Sequence, residues 1–155
     1  MKCRIVPRYY RISFYLQETD EIKNSDYVSI YKLVNHIDQK TDIICVEDST
    51  PANFNDMVAI IDDGSKYVRN FIDTSVSKGL IYIEDDKYIL NPYLHIMSFG
   101  TDKSVYKLFD NLPEWNNLIE RMEKYYDEYN LELTFYKRES KYDRNQIVYE
   151  YAEYY

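Results

Sequence analysis

The sequence predicts an α+β fold: three short helices and a β-hairpin, preceded by a basic N-terminal arm or strand and followed by an appended helix and a Tyr-rich extension. Two observations carry that prediction. Apolar residues recur at three-to-four spacing in three windows between residues 26 and 79, the signature of helices packed along one face. Directly after the third window stand two runs of β-branched and aromatic residues, 80–83 and 87–90, parted only by Glu84-Asp85-Asp86, which reads as a hairpin with a polar tip. A length of 155 residues leaves room for one compact unit with an appendage. The chain divides into an N-terminal arm or strand (1–25), a core (26–100) and a C-terminal helix with its Tyr-rich extension (101–155), packed on the core or set at a dimer interface.

In the first segment Lys2, Arg4, Arg8 and Arg11 precede any acid and alternate with Ile5, Val6, Tyr9, Tyr10, Ile12, Phe14 and Tyr15. Such an arm can reach phosphates or stack on bases. The same pattern suits a strand whose arginines guard a sheet edge, and the two uses are compatible. Asp26 is placed to cap a first helix running to about residue 39, with Val28, Ile30, Tyr31, Val34 and Ile37 on its inner face. The β-branched run 42–47 suits a small strand. Ser49, Thr50 and Pro51 then offer a hydroxyl cap and a proline at the first turn of a second helix, continued by Phe54, Met57 or Val58, and Ile61. Asp62-Asp63-Gly64 breaks the chain, and Ser65 caps a third helix in which Val68, Phe71 or Ile72, and Ser75 or Val76 point inward. Lys78 and Gly79 supply a basic last turn and a left-handed stop. Asn91-Pro92 closes the second hairpin strand, because proline has no ladder donor.

Helix, small strand, helix, tight break, helix and hairpin is the order of a winged helix-turn-helix. Ser65-Lys66-Tyr67-Val68-Arg69-Asn70-Phe71-Ile72, followed by Ser77-Lys78-Gly79-Leu80-Ile81, resembles the passage from recognition helix to wing in bacterial winged-helix regulators. Lys87-Tyr88-Ile89-Leu90-Asn91-Pro92-Tyr93-Leu94 resembles the close of the wing in RepL-like plasmid and phage replication proteins. The resemblance implies a winged-helix protein that binds double-stranded DNA in transcription regulation or replication initiation. With Val68, Phe71, Ile72 and Val76 turned inward, Ser65, Lys66, Tyr67, Arg69, Asn70, Asp73 and Thr74 face solvent. If the resemblance carries over, Arg69 pairs with a guanine edge and Asn70 with an adenine edge, because their hydrogen-bonding groups match. Ser65 and Lys66 then lie at a helix N-terminus against phosphate, Lys87 helps the wing hold the backbone, and Arg4, Arg8 and Arg11 add contacts from the arm.

Charge pulls the other way. The chain carries 27 acidic and 19 basic side chains, a formal charge of -8. The segment balances are +2, -6 and -4, so the excess of acid is concentrated after residue 25. Asp62, Asp63, Asp73, Glu84, Asp85 and Asp86 fall on the surface where a winged helix meets DNA, and phosphates would be repelled there. An alternative reading is therefore an acidic winged-helix protein that binds a basic protein partner, as a DNA mimic or a phage-encoded inhibitor of a host nucleic-acid enzyme.

In the last segment, 101–110 reads as a connection or partial helix. Leu112 and Pro113 then open a helix in which Trp115, Leu118 or Ile119, Met122, Tyr125 or Tyr126, and Tyr129 form a stripe. That stripe packs on the core or forms a homodimer interface. Residues 131–136 alternate like a strand, and 147–149 can follow as another. The closing run 149–155 is a sheet strand, a tail or a peptide for a partner.

Catalytic and metal-site chemistry is not expected. His36 and His95 stand alone, Cys3 and Cys45 lack a metal or redox spacing, and the 3 glycines build no phosphate-binding loop. No cofactor is implied. No apolar run approaches the roughly 18–20 residues of a membrane span, so a cytoplasmic, non-enzymatic protein is the expectation.

Overall fold

The computed structural model describes residues 3–7, 22–95, 101–128, 135–139 and 146–154. Among these are five α-helices and small antiparallel sheets, the α+β class that the sequence predicts.

The first strand, β1 (Cys3–Pro7), takes up the start of the basic segment. Helix α1 (Asn24–Val34) follows, with Lys23 at its N-cap and Asp26 within its first turn rather than capping it. Its inner face also differs from expectation. Tyr27, Ser29, Ile30 and Leu33 are buried, while Val28 and Tyr31 are 54% and 43% exposed. The segment 27–34 contains two overlapping apolar stripes, and packing selects the one with the larger anchors. Buried Ser29 is tolerated because its Oγ donates to the Ser25 carbonyl at 3.1 Å.

The run 42–47 is shared between partners instead of forming one strand. Ile43 bridges Ile89, the Ile44 N–H donates to the Tyr88 carbonyl, and the Leu90 N–H donates to the Asp42 carbonyl. Beyond that, β2 (Cys45–Val46) folds back on β3 (Thr50–Pro51). Pro51 is thus in a short strand, not at a helix start.

Helix α2 (Phe54–Ile61) begins three residues after Pro51, because Asn53 and Asp56 form a reciprocal capping box. The Asp56 N–H donates to Asn53 Oδ1 and the Asn53 N–H to Asp56 Oδ2, both at 2.9 Å. Two satisfied backbone donors outweigh a lone hydroxyl cap. Asp62, at φ 57°, ends the helix, and three residues lead to α3 (Ser65–Ser77), whose N-cap is Gly64 with Ser65 as its first helical residue. Val68, Phe71, Ile72 and Ser75 are buried, and Val76 is 37% exposed. Of the two open choices at the end of α3, the small hydroxyl goes inward and the valine outward.

Gly79, at φ 71°, stops α3 as the sequence predicts. The hairpin of β4 (Ile81–Glu84) and β5 (Lys87–Leu90) follows, with Asp85 and Asp86 both at positive φ, a two-residue turn of the primed kind. With residues 42–44 bridged to β5, three chain segments lie side by side at the hairpin's base. Asn91, fully buried, donates its Nδ2 to the Gly79 carbonyl and accepts from the Tyr93 N–H.

The short strand β6 (Thr101–Asp102) leads into α4 (Lys103–Asp110), a complete two-turn helix that buries Val105, Tyr106 and Phe109. Helix α5 (Pro113–Glu128) follows. Strands β7 (Phe135–Glu139) and β8 (Gln146–Tyr154) complete the fold. Only part of the expected strand 131–136 falls in β7, and 131–134 lie outside the described residues. β8 pairs antiparallel with β1, β6 and β7. Tyr151 pairs with both Val6 and Phe135, and Ile147 with both Thr101 and Glu139. Since a residue has two edges, β7 occupies one side of β8 while β1 and β6 share the other. The ends of the chain thereby meet in one sheet.

Trp115, 2% exposed, anchors α5 against the end of α3. A Cβ at Gly79 would stand 2.8 Å from Trp115 Cβ and N and 2.9 Å from its Cα. Gly79 therefore serves a left-handed turn and a backbone approach that no side chain permits. Gly79→Ala is expected to lower the unfolding free energy by at least about 2 kcal/mol, from left-handed strain and displacement of α5. Urea denaturation checks this, and a variant as stable as the parent contradicts it.

Candidate nucleic-acid interface

Helix α3 has 13 residues, about 20 Å at 1.5 Å per residue, and its inner positions are filled by apolar side chains. Its outer face is what remains. Ser65, Lys66, Arg69, Asn70, Asp73 and Thr74 are exposed together on that face. Lys66 to Thr74 covers roughly 12 Å along the axis, comparable to the width of a B-DNA major groove.

Tyr67 belongs to the packing instead. It is half-buried, and its hydroxyl donates to Asp26 Oδ1 at 3.0 Å and lies 3.0 Å from Ser29 Oγ. Its ring stacks on Phe71. This phenol locks α3 onto α1, and burial pushes its pKa up.

Arg69 has a specific environment. Its guanidinium carbon lies 4.6 Å above the centroid of the Phe54 ring, at the start of α2. Tyr88 on β5 is close enough to feel it: burial raises the Tyr88 phenol, the Arg69 cation opposes that rise, and Asp86 adds to it. Arg69 thus sits where α2, α3 and the hairpin come together. Lys87 is exposed on the hairpin, paired in register with Glu84.

The acidic residues are exposed as well. Asp62 and Asp63 lie in the α2–α3 turn, Asp73 on α3, and Glu84, Asp85 and Asp86 at the hairpin tip. Lys66, Arg69 and Lys87 are therefore framed by carboxylates. Of the N-terminal arginines, Arg4 is in β1 opposite Glu153 of β8, and Arg8 and Arg11 lie outside the described residues. Trp115 and Leu118 of the expected dimer stripe are buried within the chain, at 2% and 3% exposure, the tryptophan stacked on Tyr93. The side chains of Met122 and Tyr125, and Tyr129 as a whole, lie outside the described residues.

A second constellation escaped sequence reading. Asp42, His95 and Thr101 are buried together, with His95 Nε2 hydrogen-bonded to Asp42 Oδ2 and Thr101 Oγ1 donating to Asp42 Oδ1 at 3.2 Å. They are 53 and 59 residues apart, so no local spacing announces them. His95 Nδ1 has no hydrogen-bond partner among the described residues. The cluster is closed to solvent and ties the hairpin base to the entry of α4, which makes it a structural joint. Among the described residues no group of three or more His, Cys, Asp or Glu is arranged to hold a metal ion. Clefts of about 220 and 300 Å³ beside α5, lined by residues including Lys78, Asn117 and Arg121, reach at most the lower end of ligand-pocket sizes.

Comparison with protein-family models, curated proteins and solved structures finds no match for this chain. No helix among the described residues is long and apolar enough to cross a membrane.

Burial raises the Asp42 carboxyl above its ordinary range, with His95 and Thr101 pulling it back in part. A folded pKa above the unfolded one means that folding is favoured while the group is protonated, and that this help is lost as pH rises through the folded value. Asn at this position keeps the left-handed φ of 57° and removes the titration. The stability difference between Asp42→Asn and the parent is therefore expected to shift in the variant's favour as pH rises from about 4 toward neutrality. Urea midpoints across that range check it, and a pH-independent difference contradicts it.

Proposed function

We propose that residues 24–95 form a winged helix-turn-helix that binds double-stranded DNA through α3, in transcription regulation or replication initiation of the plasmid or phage type. It acts by binding, not by catalysis. The observation that carries this reading is the division of α3: Val68, Phe71, Ile72 and Ser75 are buried, and Ser65, Lys66, Arg69, Asn70 and Thr74 stand outward on the opposite face. The three-residue turn before α3, and the hairpin joined at its base by residues 42–44, support it. In this reading Arg69 and Asn70 meet base edges, Ser65 and Lys66 meet phosphate at the helix N-terminus, and Lys87 steadies the hairpin on the backbone.

The test is a mobility-shift titration of a random-sequence duplex pool between about 50 and 200 mM salt, with the bound fraction sequenced. Arg69→Ala is expected to relax preference at one base position by about tenfold. Arg8→Ala weakens all sequences alike and lowers the salt slope by about one. Absence of any shift, even at the lowest salt, sinks the reading.

One observation favours a second reading, in which the acidic tip docks on a basic nucleic-acid-binding protein. Asp85 and Asp86 both occupy the left-handed region; Asp is a usual first residue of this turn, but the second position favours Gly, so the Asp86 carboxylate is held at the tip against local preference. Charge reversal of Asp85 and Asp86 to Lys separates the readings. If α3 binds DNA, the reversal strengthens duplex binding severalfold at low salt; if the tip docks on a protein, it abolishes that capture and leaves duplex binding absent.

A further inference from the structure

The guanidinium of Arg69 is seated on an aromatic ring. Its carbon lies over Phe54, 4.6 Å from the ring centroid. Its N–H edge makes no hydrogen bond or ion pair with any described residue. Asp73 stands four residues on along α3, the spacing at which a helical Arg–Asp pair forms, yet the guanidinium lies over the Phe54 ring instead. An arginine serving as a structural clamp directs its N–H edge into a carboxylate or carbonyl; among the described residues this one does neither.

The ring beneath it is held firmly. Phe54 is the first residue of α2, half-buried against the core, directly after the N-cap Asn53 of the capping box. Those two backbone hydrogen bonds set the direction in which α2 presents its first side chain. The chain of positioning runs from Asn53 and Asp56 to the Phe54 ring to the Arg69 edge.

We propose that Phe54 is a positioning residue for base recognition: its ring holds the Arg69 guanidinium flat, with the N–H edge outward, so that Arg69 reads a guanine in double-stranded DNA bidentately. This rests on the DNA-binding reading of α3. Pre-organisation matters because an exposed arginine side chain is otherwise free in four torsions, and ordering it on binding weakens affinity and blurs preference alike. A stacked arginine has lost most of that freedom already. Its planar fork then meets guanine O6 and N7, while adenine, which offers a donor at the corresponding position, cannot satisfy both N–H groups. Lysine in place of Arg69 has neither the plane to stack nor the fork to present.

The experiment selects duplexes from a random-sequence pool with the full-length parent and with Phe54→Leu, Phe54→Trp, Arg69→Ala and Arg69→Lys. The parent is expected to select a site containing a guanine whose preference Arg69→Ala and Arg69→Lys lose. Phe54→Leu, which keeps bulk without an aromatic face, loses about tenfold of that preference at the same base, with the salt slope unchanged. Phe54→Trp retains it. In the free parent, the Arg69 side-chain protons are shifted upfield by the ring, a displacement that Phe54→Leu removes and Phe54→Trp keeps. A Phe54→Leu protein that keeps the preference, or weakens all sequences alike, overturns the positioning role and leaves DNA binding standing. Should Phe54→Leu not fold, an unshifted Arg69 in the free parent, or loss of the preference in a folded Phe54→Trp, overturns the role in its place. A parent that selects no duplex removes the DNA-binding reading itself, and this inference with it.

Discussion

The backbone of α5 lies against Gly79 more closely than any β-carbon permits, and the rest of the structure is arranged around that approach. Gly79 ends α3, its carbonyl receives the Asn91 side chain that closes β5, and Trp115 covers it from α5. Trp115 stacks in turn on Tyr93, and Tyr93 meets Tyr106 of α4 edge-on. One residue without a side chain thus fixes where the third helix stops, where the hairpin starts and where the C-terminal helix crosses. The outward face of α3 is a consequence. Once its last turn is pinned at Gly79 and its first is held to α1 through Tyr67, the rotation of the helix about its axis is set, and with it the exposure of Lys66, Arg69 and Asn70.

The abundance of tyrosine beside only 3 glycines acquires a physical sense here. Tyr27, Tyr93 and Tyr106 are buried, and half-buried Tyr67 spans two helices. Each supplies a broad apolar surface, and a phenol can carry a polar handle to the edge of the core, as Tyr67 does to Asp26 and Tyr93 to Asp110. In a chain with 30% charged residues, that is a way to join an apolar interior to a highly charged surface without leaving carboxylates unsatisfied. The same logic places Asp42 beside His95 and Thr101: a buried carboxyl is retained where two hydrogen-bond partners reach it.

The α+β class, the third helix and its glycine stop, the hairpin and the start of α5 at Pro113 were readable because each rests on a local rule: periodicity, a left-handed glycine, alternation around a polar tip, proline at the first turn. What failed was choice between competing local signals. In α1, stripes through Tyr27 or through Val28 both fit a helix, and only the partner surface decides. Before α2, Ser49-Thr50-Pro51 is a sound start signal that loses to the two-bond box at Asn53 and Asp56. The outward set on α3 was readable from its inner set, apart from Tyr67, whose partners lie 38 and 41 residues away. The ring beneath Arg69 and the Asp42–His95–Thr101 joint depend on residues distant in sequence, and no spacing rule reaches them.

Framing Lys66, Arg69 and Lys87 with six exposed carboxylates has a definite effect on any contact with a polyanion. Nonspecific affinity for DNA comes almost wholly from cations that displace counterions, and each carboxylate within a Debye length, about 10 Å at 0.1 M salt, works against them. Such a surface gains little from phosphate in general. Affinity then falls to the few donors that match one arrangement of base edges, together with whatever the basic N-terminal segment adds. Discrimination is the ratio of specific to nonspecific binding, and it improves when the second is suppressed even if the first is unchanged. The acid that argues against a general DNA binder is therefore compatible with a selective one, on condition that its few cations are rigidly aimed. Of Lys66, Arg69 and Lys87, Arg69 is the one seated on an aromatic ring, Phe54, which limits its freedom.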